Sequence, residues 1–236
     1  MIALGALVGL YLVYSLYWTG RTTSQAQTRL LQEFEVHVAE ADPLDDEFSL
    51  EVGELEPLAG EESAADDPTL ETSAIEPADQ VSTDIDLGDA VAAVEFYRPG
   101  AQQSVIDPVM VIEGVTVEAL KSGPGRYPGT DYPGQEGNVG IAGHRTTYGA
   151  PFWDLDKLQE GDEIHVTDRN GTRWIYHFAA QRIVAPSDGS VLEDDPLGTG
   201  RPTLTLTTCH PRWSQQQRLI VFAELSEDQV PLVAQQ

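Results

Sequence analysis

A long acidic segment limits where this chain can form a hydrophobic core. Between Leu30 and Tyr97 there are 21 Asp or Glu residues, no Lys or Arg, and four prolines. Such a segment repels itself and buries too little apolar surface to offset the entropy of ordering. We therefore interpret residues 21–89 as a mostly disordered linker, with a helix expected near residues 24–38, where apolar side chains share one helical face.

The parts of the chain on either side of this linker differ from it and from each other. Residues 1–20 carry no charged side chain and, as a helix, would span roughly 30 Å, the thickness of a bilayer's hydrocarbon core. We predict an uncleaved transmembrane anchor there; a cleaved signal peptide is the alternative, although no Ala-x-Ala site follows. Residues 90–228 are predicted to form one folded domain, and residues 229–236 a C-terminal tail. The formal net charge of −26 lies mostly in the linker, and without a basic footprint we expect no nucleic-acid partner.

The predicted domain reads as all-β. Short apolar runs alternate with turn signals, and Asn170-Gly171 between two alternating runs is a strong hairpin signal. Near the C-terminus, Leu204, Leu206 and Thr208 share one face of a strand, and Cys209 belongs to the other face. Only residues 151–158 suggest a short helix. This pattern favours a sandwich or a closed barrel.

Cys209 is the only cysteine, so no intramolecular disulfide can form. It ends an alternating strand, a position that suits a nucleophile, and a thiol there needs a neighbouring imidazole or cation to become a useful thiolate. One cysteine and scattered histidines give no metal-ligand spacing, and no loop has a calcium-ligand pattern. We expect neither a metal nor a cofactor.

Among the five histidines, His144 suits the role of base best. It follows the run Gly140-Ile-Ala-Gly143, so its ring lies at a strand end on a glycine-freed backbone. His210 is adjacent to Cys209 and would point to the opposite face of the strand. His37 lies in the linker, and His165 and His177 are expected in mid-strand as structural residues.

Arg218 is the candidate cation. It begins the strand after Cys209, so an antiparallel hairpin would bring the two side by side, where a guanidinium can stabilise an oxyanion. The alternative is a surface arginine at a strand end. Arg126, Arg145 and Arg212 are the other arginines that could fill the same role.

These motifs resemble those of the sortases. Residues 205–209 match the Thr-Leu-x-Thr-Cys motif of that family, Arg218 has its arginine spacing, and His144 lies in its Gly-His-Arg segment. Residues 144–152 look most like class E. The resemblance implies an eight-stranded β-barrel with short helices and a cysteine transpeptidase.

The resemblance also implies roles for the site residues. Cys209 would attack the Thr-Gly carbonyl of a sorting signal on a surface protein, His144 would exchange protons with the amines, and Arg218 would hold the oxyanion or position the peptide. Class E implies a Leu-Ala-x-Thr-Gly signal, to whose backbone Tyr148 would hydrogen-bond. Thr208 would orient the substrate beside the thiol. Tyr148 could instead pack on Trp153, and Thr208 could simply face the core.

The acceptor implied by the family is an amine on a peptidoglycan precursor such as lipid II. The implied location is the cell membrane of a Gram-positive-type envelope, crossed once, with the catalytic domain outside. Two alternatives stay open on sequence grounds: a cysteine peptidase whose thioester is resolved by water, and a non-enzymatic surface-binding domain.

Overall fold

The computed structural model describes residues 2–41 and 85–230. One long helix, α1 (Ile2–Ala41), precedes eight strands. The strands are β1 (Ala90–Tyr97), β2 (Val109–Glu113), β3 (Gly125–Arg126), β4 (Asn138–Ala142), β5 (Glu163–Asp168), β6 (Arg173–Val184), β7 (Thr203–His210) and β8 (Gln217–Leu225). Short 3₁₀ helices lie at Ala119–Lys121, Leu155–Lys157, Gly189–Leu192 and Glu227–Gln229.

The eight strands close into a barrel, which confirms the predicted all-β, eight-stranded fold. The strand order is β1-β2-β3-β4-β7-β8-β6-β5, and β5 pairs with β1 to close the ring. All neighbours are antiparallel except β2–β3 and β4–β7, which are parallel. Closure of the barrel gives every strand a neighbour on both sides, so strands this short can satisfy most of their backbone groups within the sheet.

Alternation along the strands fills the barrel interior. In β5 every second side chain is buried, and in β7 Leu204 and Leu206 are fully inaccessible. The Asn-Gly signal lies in the β5–β6 turn, as predicted, with Gly171 at φ 80°. The helix predicted at residues 151–158 is a single 3₁₀ turn, Leu155–Lys157, which places Leu155 in the core.

Helix α1 packs its second half against the outside of the barrel. Leu30 and Phe34 are buried in a small cluster with Ala90, Met110 and Ile112. This cluster is separate from the barrel interior and covers apolar side chains that β1 and β2 direct outwards. Burial of a large apolar side chain contributes about 1.5–3 kcal/mol, so the contact stabilises the domain.

A glutamine on α1 completes the hydrogen bonding of β2. The Gln27 amide nitrogen donates to the carbonyl oxygens of Met110 and Ser122, at 3.1 and 2.9 Å. The Met110 N–H in turn donates to the Gln27 amide oxygen at 2.7 Å. A Cβ at Gly123 would lie 2.2 Å from the Gln27 nitrogen, so the absence of a side chain there makes room for the contact. The amide thus pairs with Met110 much as a neighbouring strand would.

The structure changes the interpretation of the N-terminal region. Residues 24–38, where a helix was expected, lie within α1, and the helix also includes the rest of residues 21–41, assigned above to the linker. Within the ranges that the structure describes, no helix has a stretch both long and apolar enough to cross a membrane. The transmembrane anchor predicted for residues 1–20 is therefore not supported. The predicted disorder of residues 42–84 and the tail from residue 231 lie outside the described residues.

We expect Gln27→Ala to lower the free energy of unfolding by about 1–3 kcal/mol, because it leaves the Met110 N–H without a partner. Gln32→Ala is the matched control, since it makes the same change at an exposed position on the same helix. Chemical denaturation of the 236-residue chain measures both variants. Equal stabilities for the two would contradict a structural role for the Gln27 contacts.

Candidate active site

Three neighbouring strands bring the predicted site residues to one rim of the barrel. β4 and β7 run parallel, with Ala142 opposite Thr207, so their carboxyl ends meet at the same edge. Continuing that register by two residues brings His144 beside Cys209. β8 runs antiparallel to β7 and begins where β7 ends. The rim thus gathers the end of β4, the end of β7 and the start of β8.

Cys209 and Arg218 are directly opposed in the β7–β8 pair, as the hairpin interpretation predicted. Directly opposed residues direct their side chains to the same face, with Cβ atoms about 5 Å apart. The Arg218 Nη1 donates to the carbonyl oxygens of Gln215 and Gln217, at 3.1 and 3.0 Å. Among the described residues no carboxylate lies within ion-pair distance of Arg218, so its charge is available to an incoming group.

Two of the competing arginines are engaged elsewhere. Arg126 is buried and forms a two-pronged ion pair with Glu113, with both N–O distances 2.8 Å. Arg212 is partly exposed, donates to the Trp153 carbonyl oxygen and pairs with Asp156 at 2.9 Å. Neither one is opposed to Cys209.

His144 is fixed to β7 through the glycine that precedes it. The Gly143 N–H donates to the Thr207 carbonyl oxygen at 3.0 Å, which extends the β4–β7 ladder by one residue. The Thr208 hydroxyl donates to the Gly143 carbonyl oxygen at 2.7 Å. A Cβ on Gly143 would lie 2.5 Å from the Phe152 ring, so glycine allows this close approach.

The two ring nitrogens of His144 have different surroundings. Nδ1 lies 3.3 Å from the Thr147 hydroxyl, whereas Nε2 is buried without a hydrogen-bond partner among the described residues. A buried polar atom without a partner costs about 1–3 kcal/mol, and such atoms concentrate at sites that accept a ligand or a proton. Burial also lowers the pKa of His144 below its ordinary value of 6.5, because it disfavours the charged ring. Burial thus favours the neutral imidazole, which is the form that can accept a proton.

Tyr148 lies against His144 rather than on Trp153. The Tyr148 and His144 ring centroids are 4.9 Å apart, with the planes tilted by 41°. Tyr148 and Ala150 both have positive φ values, 50° and 49°, a conformation that costs a non-glycine residue about 1–2 kcal/mol. Trp153 pairs instead with Trp213 across the rim, at 5.9 Å. The loop after His144 thus holds a strained conformation that presents an aromatic ring beside the imidazole.

Thr208 lies on the opposite face of β7 from Cys209. The residue is 3% exposed, and its hydroxyl already donates a hydrogen bond to the Gly143 carbonyl oxygen. In the described structure this hydroxyl ties β7 to the residue before His144. A contact with substrate stays a prediction.

The remaining histidines of the barrel have partners other than the Cys209 thiol or are exposed. His165 contacts Glu163 at 2.8 Å and stacks on Tyr97, and His177 is exposed on β6. The His210 ring accepts a hydrogen bond from Arg145 at 3.1 Å. Sequence reasoning treated Arg145 only as a rival for Arg218. Its adjacency to His144 was the one signal that could have marked it for another role.

A cleft of about 790 Å³ adjoins the rim, between α1 and the loop after His144. Thr23 and Gln27 of α1 line one side, and Tyr148 and Trp213 line the other. Cys209 is not part of its lining. Among the described residues no group of three or more His, Cys, Asp or Glu side chains is placed to hold a metal ion.

The lowered pKa of His144 predicts a pH-dependent contribution to stability. Below pH 6.5 the unfolded chain binds this proton more readily than the folded protein does. Wild type should therefore lose stability relative to His144→Gln as the pH falls from about 7 through the folded pKa. Urea denaturation of both proteins across this range measures the difference. A difference that is constant with pH would contradict the desolvated environment of His144.

Comparisons with known proteins identify the family of this fold. The Sortase domain family model matches residues 104–226, more than half of the chain. Sortase SrtE1 of Streptomyces coelicolor is 39% identical over 98 residues, which cover 39% of this chain and 27% of that relative. The solved sortase E of Streptomyces avermitilis is 38% identical, with a TM-score of 0.51, over 60% of this chain and 91% of that one. Sortase E1 of Streptomyces coelicolor, solved with a tripeptide in the active site, is 31% identical, with a TM-score of 0.51, over 59% of this chain and 90% of that one. The barrel, whose rim holds Cys209, His144 and Arg218, is consistent with the family match. The chain belongs to the sortase family, and class E sortases are among its relatives.

Proposed function

We propose that this protein is a cysteine transpeptidase that cleaves a sorting signal between Thr and Gly and transfers the acyl group to an amine. The observation that carries the proposal is the meeting of Cys209, His144 and Arg218 at one barrel rim. Acyl transfer through a thioester needs a nucleophile, a base and a cation. Among the residues described, one nitrogen of His144 has no hydrogen-bond partner and Arg218 has no ion-pair partner.

In the first half of the reaction, His144 accepts the thiol proton of Cys209, and the thiolate attacks the threonine carbonyl carbon. The carbonyl oxygen becomes an oxyanion beside Arg218, whose guanidinium stabilises it. The C–N bond to glycine then breaks, and His144 returns its proton to the leaving amine. A thioester between Cys209 and the threonine remains.

In the second half, an amine attacks the thioester carbonyl. His144 takes the proton of the incoming amine, a second oxyanion forms beside Arg218, and the C–S bond breaks. Cys209 leaves as a thiolate and recovers its proton from His144, while a new amide links the threonine to the acceptor. The thioester could also be resolved by water, and this outcome defines the peptidase alternative.

We propose a Leu-Ala-x-Thr-Gly signal as substrate and a peptidoglycan-precursor amine as acceptor. The class E relatives support the first choice, as does the ring of Tyr148 beside His144. The tripeptide in the active site of sortase E1 of Streptomyces coelicolor supports a peptide substrate. Sortases are typically cell-envelope enzymes of Gram-positive bacteria, so the expected donors are surface proteins that carry this signal.

The test uses the 236-residue chain, quenched Leu-Ala-x-Thr-Gly and Leu-Pro-x-Thr-Gly peptides, and an added amine. We expect cleavage and ligation in wild type, none in Cys209→Ala, and a loss of about 10²–10⁴-fold in His144→Ala, the usual value of a general acid–base. Mass spectrometry follows both products and the thioester. Cleavage without ligation would favour a peptidase. Activity that persists in Cys209→Ala, or none in folded wild type, would contradict the proposal.

Tyr148→Phe tests the proposed signal preference. If the hydroxyl bonds the substrate backbone, its removal should lower kcat/KM for the alanine peptide about 3–10-fold, the usual value of one hydrogen bond. The proline peptide serves as the internal control and should change less. Equal losses for the two peptides would remove Tyr148 from signal selection.

A further inference from the structure

The residue after His144 carries a buried cation that the reaction scheme leaves unused. The Arg145 side chain is 1% exposed, yet it lies in the loop that follows β4. A buried charge is costly unless it is paired and hydrogen-bonded, so this arginine has a specific reason to be there.

The contacts of Arg145 join three separate parts of the rim. Nη2 pairs with the Asp156 carboxylate in the 3₁₀ helix Leu155–Lys157, at 2.9 Å. Nη1 donates to the His210 ring nitrogen Nδ1 at 3.1 Å and lies 3.4 Å from the Cys209 carbonyl oxygen. Because arginine has no acceptor, His210 Nδ1 carries no proton in this arrangement.

Together with the Gly143 contacts, these contacts place hydrogen bonds to β7 on both sides of His144. On one side of His144, Gly143 is bonded to Thr207 and Thr208, the two residues before Cys209. On the other side of His144, Arg145 is bonded to Cys209 itself and to His210, the residue after it. His144 and Cys209 are therefore held between two sets of hydrogen bonds, and the second set depends on one side chain.

We propose that Arg145 is a positioning residue that holds the His144 ring and the Cys209 thiol in reacting register. It acts through the backbone of Cys209 and the ring of His210, with Asp156 neutralising its charge, and it does not touch substrate. The inference rests on the proposed function, because it assumes that His144 activates Cys209.

The geometry of the guanidinium explains why arginine is needed. Its planar fork makes separate hydrogen bonds in different directions, which suits a carboxylate on one side and the end of β7 on the other. A lysine at position 145 would keep the charge beside Asp156 but would have a single nitrogen for both sets of partners. Loss of about 1 Å of alignment between reacting groups can lower a rate by 10²-fold.

The first test measures peptide cleavage by Arg145→Met. We expect kcat to fall at least about tenfold with KM within about twofold, because alignment changes while the substrate surface does not. Arg212→Met is the matched control: Arg212 also pairs with Asp156, but it contacts neither Cys209 nor His210. It should keep kcat within about twofold of wild type.

The second test does not require peptide turnover. The rate of Cys209 alkylation by iodoacetamide reports the reactivity of the thiol, and His144→Ala lowers it if His144 activates Cys209. In an Arg145→Met background, His144→Ala should have little further effect, because the two residues would then act as one unit. If His144→Ala slowed alkylation by the same factor in wild type and in Arg145→Met, the positioning role would be overturned. No effect of His144→Ala in wild type would instead overturn the proposed function, and this inference with it.

Folding is measured alongside, by thermal melting and by the fraction of titratable thiol in folded protein. A loss of kcat that matches the loss of folded protein would reduce Arg145 to a structural residue and overturn the inference. If Arg145→Met does not fold, Arg145→Lys takes its place, with the same expected loss of kcat. Wild-type kcat in folded Arg145→Lys would overturn the inference as well.

Discussion

The parallel pairing of β4 with β7 is the constraint on which the site depends. Parallel strands need a long crossover, and here β5 and β6 lie between them in the chain. This connection brings the carboxyl ends of β4 and β7 to one rim. His144 follows the end of β4, and Cys209 lies near the end of β7. An antiparallel pair would separate these residues by the length of the strands. β8 is antiparallel to β7, so a short connection is enough to place Arg218 opposite Cys209.

The electrostatics of the rim follow from how each charged group is covered. His144 is half-buried, and burial favours its neutral form, which in the proposed reaction suits a base that first removes a proton from a thiol. Arg218 is partly exposed and lies opposite Cys209, where charge develops on the substrate in the proposed reaction. The Arg145 side chain is buried and pairs with Asp156. In the proposed mechanism, these three neighbouring groups differ in exposure and serve proton transfer, charge stabilisation and alignment.

The sequence predicted the features that depend on local patterns. Period-two alternation, the Asn-Gly turn and the opposition of Cys209 and Arg218 all follow from pairing rules that act between neighbouring strands. The packing of α1 against the barrel was not predicted, because the acidic residues around it suggested a solvated linker. An apolar helix face also does not show which surface it will pack against. The role of Arg145 was missed for a related reason. Its partners Asp156 and His210 are distant in sequence and meet it only after the barrel closes.

The Gln27 amide has a consequence for how this protein can be prepared. β3 is only two residues long, so at Met110 the side of β2 that faces away from β1 has no strand partner, and α1 supplies the missing backbone pairing. A fragment that starts at β1 would leave this stretch of β2 bare, with the apolar side chains of Met110 and Ile112 uncovered beside it. Bare strand edges next to apolar side chains recruit strands from other molecules. Self-association of such a fragment during purification would then result from the missing helix α1, even though the residues of the rim were all present.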